Sequence, residues 1–100
     1  MANSKIVISK IEHEGYFTSI FGVMPTADFA EIKAYYYSTS NKWESMGTYQ
    51  NYDSVNFKMQ ASNTPARGGK FSVVVCLQEH GSPPNVSCSD PFIHDFPDFG

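Results

Sequence analysis

The stretch 53-DSVNFKMQA-61 alternates apolar and polar side chains with a period of two. Successive side chains of a β-strand point to opposite faces, so this pattern predicts a strand with one face in the core and the other in solvent. Such half-buried strands are typical of antiparallel sheets. The apolar side chains are Val55, Phe57 and Met59, and the polar ones are Asn56, Lys58 and Gln60.

Neighbouring segments extend the same pattern in both directions. Residues 5–11 are rich in Ile and Val, residues 15–23 alternate aromatic and small side chains, and residues 69–78 are apolar on both faces near their middle. Turn signals separate these segments at short intervals, which is typical of an all-β domain. We therefore predict six or seven short strands packed as two antiparallel sheets, an all-β sandwich.

The segment 26-TADFAEIKAYYY-37 fits two interpretations. A helix would begin with Thr26 as its N-cap and would repeat apolar residues at helical spacing. A strand over residues 31–38 is favoured by the three consecutive tyrosines, because aromatic side chains lose rotamer freedom in helices. We favour the strand, although the period of so short a segment fits both.

The segment 69-GKFSVVV-75 and the single tryptophan, Trp43, resemble features of fibronectin type III and wider immunoglobulin-like domains. The segment is similar to the strand that follows the E–F corner of those domains, and Trp43 is similar to the tryptophan of their core. The resemblance covers the strand rhythm of residues 5–93. It implies a two-sheet sandwich but no particular chemistry, because this architecture hosts many unrelated functions.

Length and charge disfavour several classes of protein. One hundred residues suit a single domain, which we predict at residues 1–90, with an extended tail at 91–100. The net charge is −3 and the seven basic residues are scattered, which disfavours binding to nucleic acid or an anionic membrane. The longest apolar run, 73–77, is too short to span a bilayer.

The N-terminal residues carry no apolar signal segment. The chain as given is therefore expected to be a soluble cytoplasmic protein, or a secreted one if a signal had been removed.

Cys76 and Cys88 flank a turn centred near Ser82. Arms of equal length would place them opposite each other on a hairpin, at a distance that suits a disulfide. We predict that the pair is oxidised in an oxidising compartment, adding about 2–3 kcal/mol, and reduced in a cytoplasm. The sequon 85-NVS-87 would matter only in a secreted eukaryotic protein.

Residues that could carry catalysis or hold a metal form no established motif. Cys76 precedes His80 by four residues, but a cysteine nucleophile needs a helix end or a histidine from elsewhere in the fold. The spacing of Cys76, His80 and Cys88 lacks the paired cysteines of a zinc site. The triplet 12-EHE-14 is interpreted as a polar turn. We expect no enzymatic activity, no catalytic residue, no metal and no cofactor.

Five aromatic residues within eighteen positions are interleaved with Ser, Thr, Asn and Gln. They are Tyr35, Tyr37, Trp43, Tyr49 and Tyr52. Such a mixture resembles an antibody paratope, and it also suits stacking on sugar rings. The alternative is that Trp43 and half of the tyrosines belong to the core or to sheet edges, because tyrosine often buries its ring and leaves its hydroxyl in water.

The C-terminal tail, 89-SDPFIHDFPDFG-100, alternates acidic and aromatic residues, and Pro97 excludes a helix there. Phe92, Phe96 and Phe99 would form an exposed apolar patch if the tail were free. We therefore predict that the tail docks on its own domain, or on a neighbouring subunit as an arm added to a sheet edge.

These features predict a non-enzymatic binding or assembly module. It would contact a protein, including copies of itself, through the five aromatic residues or the tail. The alternative is a carbohydrate-binding module or small lectin that uses the same tryptophan and tyrosines.

Overall fold

The computed structural model describes residues 5–15, 17–25, 31–49, 55–65, 67–83 and 85–98. Within those ranges the regular elements are strands, and no helix is long and apolar enough to cross a membrane. The strands are β1 (Val7–Glu14), β2 (Phe17–Val23), β3 (Glu31–Tyr37), β4 (Trp43–Tyr49), β5 (Asn56–Gln60), β6 (Gly69–Gln78), β7 (Val86–Cys88) and β8 (Phe92–Phe96).

The strands form two antiparallel sheets. The first has the order β1-β2-β5, and the second has the order β4-β3-β6-β7, with β8 also paired to β6. The predicted all-β, two-sheet architecture is confirmed. The segment 31–37 is a strand, as favoured above, and residues 26–30 lie outside the described residues.

The described residues form eight strands rather than six or seven, because β7 and β8 lie end to end along the same edge of β6. Ser89 carries the ladder across the break between them. Its amide donates to the carbonyl of Val75, and its hydroxyl accepts from the amide of the same residue, at 2.9 and 3.0 Å. Pro91 follows and has no amide hydrogen to donate, which favours an interruption here.

Alternation along the strands builds one core between the sheets. Every second side chain of β3, β5 and the second half of β6 is buried, as the period of two predicts. In β2 the buried positions are Thr18, Ile20 and Gly22, so its aromatic side chains Phe17 and Phe21 point outward. The buried apolar residues are Ile6, Ile8, Ile11, Ile20, Met24, Ile32, Ala34, Tyr36, Met46, Phe57, Met59, Val73, Val75, Leu77 and Phe96.

One prediction from the opening stretch is wrong in detail. Val55 was assigned to the apolar face together with Phe57 and Met59, which are both buried. Val55 instead precedes β5 and is exposed, while its carbonyl accepts a hydrogen bond from the amide of Met24. The strand begins one residue after Val55, so alternation does not control where its side chain points.

Candidate functional site

The outer face of the five-stranded sheet carries three of the five predicted aromatic residues. β3 buries every second side chain from Ile32 to Tyr36, so alternation turns Tyr35 and Tyr37 outward. Tyr35 is half-buried and Tyr37 is exposed. Because β3 lies between β4 and β6, its outward side chains are flanked by those of both neighbours.

A bulge in β4 sets which side chains join them. The pairing register slips by one residue at Met46, which is fully buried. The adjacent Gly47 has a φ of +133°, which L side chains rarely adopt, and a Cβ there would press on the hydroxyl of Ser62. Beyond the bulge, Trp43 comes opposite Tyr37 on the outer face.

Tyr37 and Trp43 meet edge to face, with ring centroids 5.0 Å apart and an angle of 67° between the ring planes. Trp43 nevertheless remains 47% exposed. Beside this pair lies a shallow cavity of about 360 Å³, which we call the aromatic hollow. Its lining residues are Tyr35, Trp43, Val74, Cys76 and Cys88.

A disulfide forms one side of the aromatic hollow. Cys76 of β6 and Cys88 of β7 are direct cross-strand partners, with Sγ atoms 2.02 Å apart and Cα atoms 3.9 Å apart. The bond fixes the three-residue strand β7 to β6. While it is intact neither sulfur is a thiol, so neither can act as a nucleophile or bind zinc as a thiolate.

Polar side chains border the aromatic hollow. Lys33 is the β3 partner of Cys76, and Ser45 is the β4 partner of Tyr35, so both point to the same outer face. The ammonium of Lys33 lies 3.3 Å from the carboxylate of Glu31, in a solvent-exposed ion pair of small energetic weight. An apolar centre with a polar rim is typical of protein contact surfaces.

The remaining predicted aromatic residues are not part of this surface. Tyr49 packs against the core from the inner side of β4, on the opposite face from Trp43. Tyr52 lies outside the described residues. The resemblance placed Trp43 in the core, and the structure corrects this: β4 is an edge strand whose inward positions include Met46, and Trp43 points outward.

Val74 and the disulfide complete the aromatic hollow, and neither was assigned to it from the sequence. Alternation along β6 does place Val74 and Cys76 on the outer face of the strand, away from the core. The pairing of β3 with β6, which brings them beside Tyr35, joins residues about forty positions apart and leaves no local pattern.

The predicted tail is in part a strand of the sandwich. β8 pairs with Gly69–Val73 of β6. Phe96 is buried, Phe92 is half-buried against the core, and Phe99 lies outside the described residues. In this structure, residues 92–96 therefore dock on their own domain, which is one of the two alternatives predicted for the tail.

Among the described residues, the candidate catalytic and metal-binding side chains do not gather into one site. His80 is exposed on the hairpin that follows β6, and Glu12, His13 and Glu14 lie at the end of β1. Within the described ranges, no group of three or more His, Cys, Asp or Glu side chains is placed to hold a metal ion.

Comparisons with known proteins found no relative of this chain. The chain matches no protein-family model, and neither the curated proteins nor the solved structures contain a match.

Proposed function

We propose that this protein is a non-enzymatic binding module whose aromatic hollow receives an apolar side chain of a protein partner. The observation that carries the proposal is the exposure of Trp43 beside a concave, apolar cavity. A large exposed apolar patch that is rimmed by polar residues is a common mark of an interaction site. Tryptophan and tyrosine are also the residues that most often dominate binding energy at protein interfaces.

The lining of the aromatic hollow favours a protein over a sugar. Apart from the tyrosine hydroxyl and the indole N–H, the five lining residues offer hydrocarbon and sulfur. Recognition of a sugar needs several directed polar groups for its hydroxyls, whereas the side chain of Leu, Met or Phe needs only an apolar pocket. A carbohydrate-binding module remains the second candidate, supported by the exposed ring of Trp43.

The strand order supports a fibronectin type III-like assignment of the fold. The first, second and fifth strands share one sheet, and the third, fourth and sixth strands share the other. We propose that β7 and β8 together occupy the place of the single last strand of that architecture. This assignment concerns topology, and the proposed binding function does not depend on it.

A peptide-display experiment tests the binding proposal. Random peptides are selected on the wild-type chain, and their affinities are then measured for two variants, Trp43→Ser and Phe17→Ser. Phe17 is 60% exposed on the other sheet, so each variant loses one exposed aromatic ring and only one of them changes the aromatic hollow. We expect Trp43→Ser to weaken binding about tenfold or more, and Phe17→Ser to leave it nearly unchanged.

Two outcomes would contradict the proposal. Equal losses in both variants would show that the peptides adhere to exposed rings in general. Binding of glycans, but not of peptides, that depends on Trp43 would replace the proposal by its carbohydrate alternative. Since Trp43 is the sole tryptophan, its fluorescence reports directly on occupancy of the aromatic hollow in either case.

A further inference from the structure

Two histidines join the two sheets at one open side of the sandwich. His13 lies near the end of β1, an edge strand of the first sheet, and His94 lies in the middle of β8, at an edge of the second. Their Nε2 atoms are 2.7 Å apart, a hydrogen-bond distance. We call this pair the histidine clasp.

The rings of the histidine clasp meet end to end. Their centroids are 4.9 Å apart, which is 2.2 Å more than the separation of the two nitrogens. That excess is close to twice the distance from an imidazole centre to its own nitrogen, so the nitrogens face each other along one line. The ring planes differ by only 27°. A hydrogen bond in this arrangement needs one proton shared by the two facing nitrogens, not two and not none.

Neighbouring side chains hold both rings in this position. Nδ1 of His13 lies 3.0 Å from the hydroxyl oxygen of Thr18, which is almost fully buried. Phe96 meets His13 and His94 edge to face, with centroid distances of 5.7 and 4.9 Å. Phe92 lies nearly parallel to His94 at 6.4 Å. The rings therefore have restricted freedom to turn away when a second proton arrives.

Burial and the repulsion between the two rings oppose double protonation of the histidine clasp. Burial lowers the pKa of His13 below its ordinary value. Burial also lowers the pKa of His94, as does the charge of His13, and Asp95 opposes them in part. Among the described residues, the charged groups on the strands packed around the pair are Lys10, Glu12 and Glu14 of β1, Asp95 of β8 and Lys70 of β6. Lys70 is the strand partner of Asp95, and the ammonium of Lys10 lies 3.1 Å from the carboxylate of Glu12. β2 contributes the neutral Thr18.

We propose that the histidine clasp is a contact controlled by protonation. It closes this side of the sandwich at neutral pH and opens when both rings become imidazolium ions. Two imidazolium ions would direct N–H groups at each other across 2.7 Å. A metal ion on the line between the facing nitrogens would need them about 4.0–4.2 Å apart, twice the usual zinc–nitrogen distance, and they are 2.7 Å apart. The proton is therefore the ligand that this geometry suits.

The folded state favours the neutral form of both histidines, and this preference sets how stability changes with pH. Unfolded histidine takes up protons near pH 6.5, above the lowered folded pKa of both residues. The stabilising effect of the histidine clasp is fully present above that pH and is lost as the pH falls through the folded values.

Hydrogen exchange and NMR on the intact chain test this proposal. Between about pH 7.5 and about pH 5 we expect the amides of residues 7–14 and 92–96 to lose protection, after correction for intrinsic rates. The loss should be about tenfold for each unit by which the pKa values are lowered. In the neutral form, imidazole ¹⁵N shifts should show a proton on one of the two facing Nε2 atoms.

Three variants separate the histidine clasp from general acid sensitivity. His13→Gln and His94→Gln should each flatten the pH dependence of exchange at these strands. His80→Gln is the matched control, because His80 is exposed on a hairpin in a different part of the fold, and it should behave as the wild type. If the first two variants fail to fold, the NMR titration of the wild type still decides. Titration of His13 and His94 at or above about pH 6.5, the value of unfolded histidine, or protons on both facing nitrogens, would overturn the proposal.

Discussion

Truncating Phe96 to alanine should remove a large part of the stability of the domain. Phe96 is 2% exposed and meets Phe71, His13 and His94 edge to face across the core. Loss of a buried phenylalanine ring combines lost transfer energy with the cost of a cavity, about 3–5 kcal/mol in all. Domains of this size are stable by only about 5–15 kcal/mol, so the variant would lose between about a fifth and all of that stability.

Ile93→Ala provides the matched control. Ile93 lies on the same strand but points outward and is 67% exposed, so its truncation should change stability by less than about 0.5 kcal/mol. Urea unfolding followed by far-ultraviolet circular dichroism measures both variants. With a urea dependence of about 1–3 kcal/mol per molar, the midpoint of Phe96→Ala should fall by at least about 1 M.

Equal stability of the two variants would refute the reasoning. It would mean that β8 is not packed on the core in solution, and that the C-terminal segment is available to act as an arm on another molecule. Size-exclusion chromatography with light scattering would then be run on the full chain and on a version ending at Ser89. An oligomer that becomes a monomer on truncation would identify the arm.

Two further predictions concern the sheets themselves. The disulfide between Cys76 and Cys88 closes a loop with a sequence separation of 12, so reduction should cost about 3 kcal/mol of stability. A reducing agent should lower the urea midpoint of the wild type and leave unchanged that of the variant in which both Cys76 and Cys88 are replaced by alanine. If the reducing agent has no effect on the wild type, the disulfide is not formed in solution. Gly22→Ala should destabilise by about 1–3 kcal/mol, because the new Cβ would overlap the backbone carbonyl of Val7 and the ring of Phe57. Thermal unfolding measures this against Ser19→Ala on the outward face of the same strand, and equal melting temperatures would show that both the backbone at Val7 and the ring of Phe57 move aside without cost.

Local alternation was sufficient to predict most strands, because the burial of every second residue is a property of one strand and its sheet. The segment 69–78 shows the limit of this signal. It was correctly assigned to a strand, but the sequence did not reveal that two later strands share its far edge. That arrangement depends on Ser89, which lies between β7 and β8 and exchanges hydrogen bonds with Val75 of β6, fourteen residues away in the chain.

The candidate site was predicted in part for a similar reason. Tyr35, Tyr37 and Trp43 were grouped by composition, and the structure does bring them to one face. Composition could not tell that Tyr49 faces the other way, because the facing of each residue on β4 depends on alternation through a register slip at Met46. A slip of one residue exchanges the two faces of a strand.

The sequence by itself determined the structural class and the opposition of Cys76 and Cys88, because these depend on periodicity and on the symmetry of one hairpin. It favoured a strand at residues 31–37 through the strand preference of three tyrosines, since the period there fits both a helix and a strand. Tertiary structure alone decided which side chains meet across the sandwich. His13 and His94 are 81 residues apart, and they touch only because two edges of different sheets close over the same core. Contacts between sheets depend on how the layers stack, and no periodicity within a single strand records that stacking.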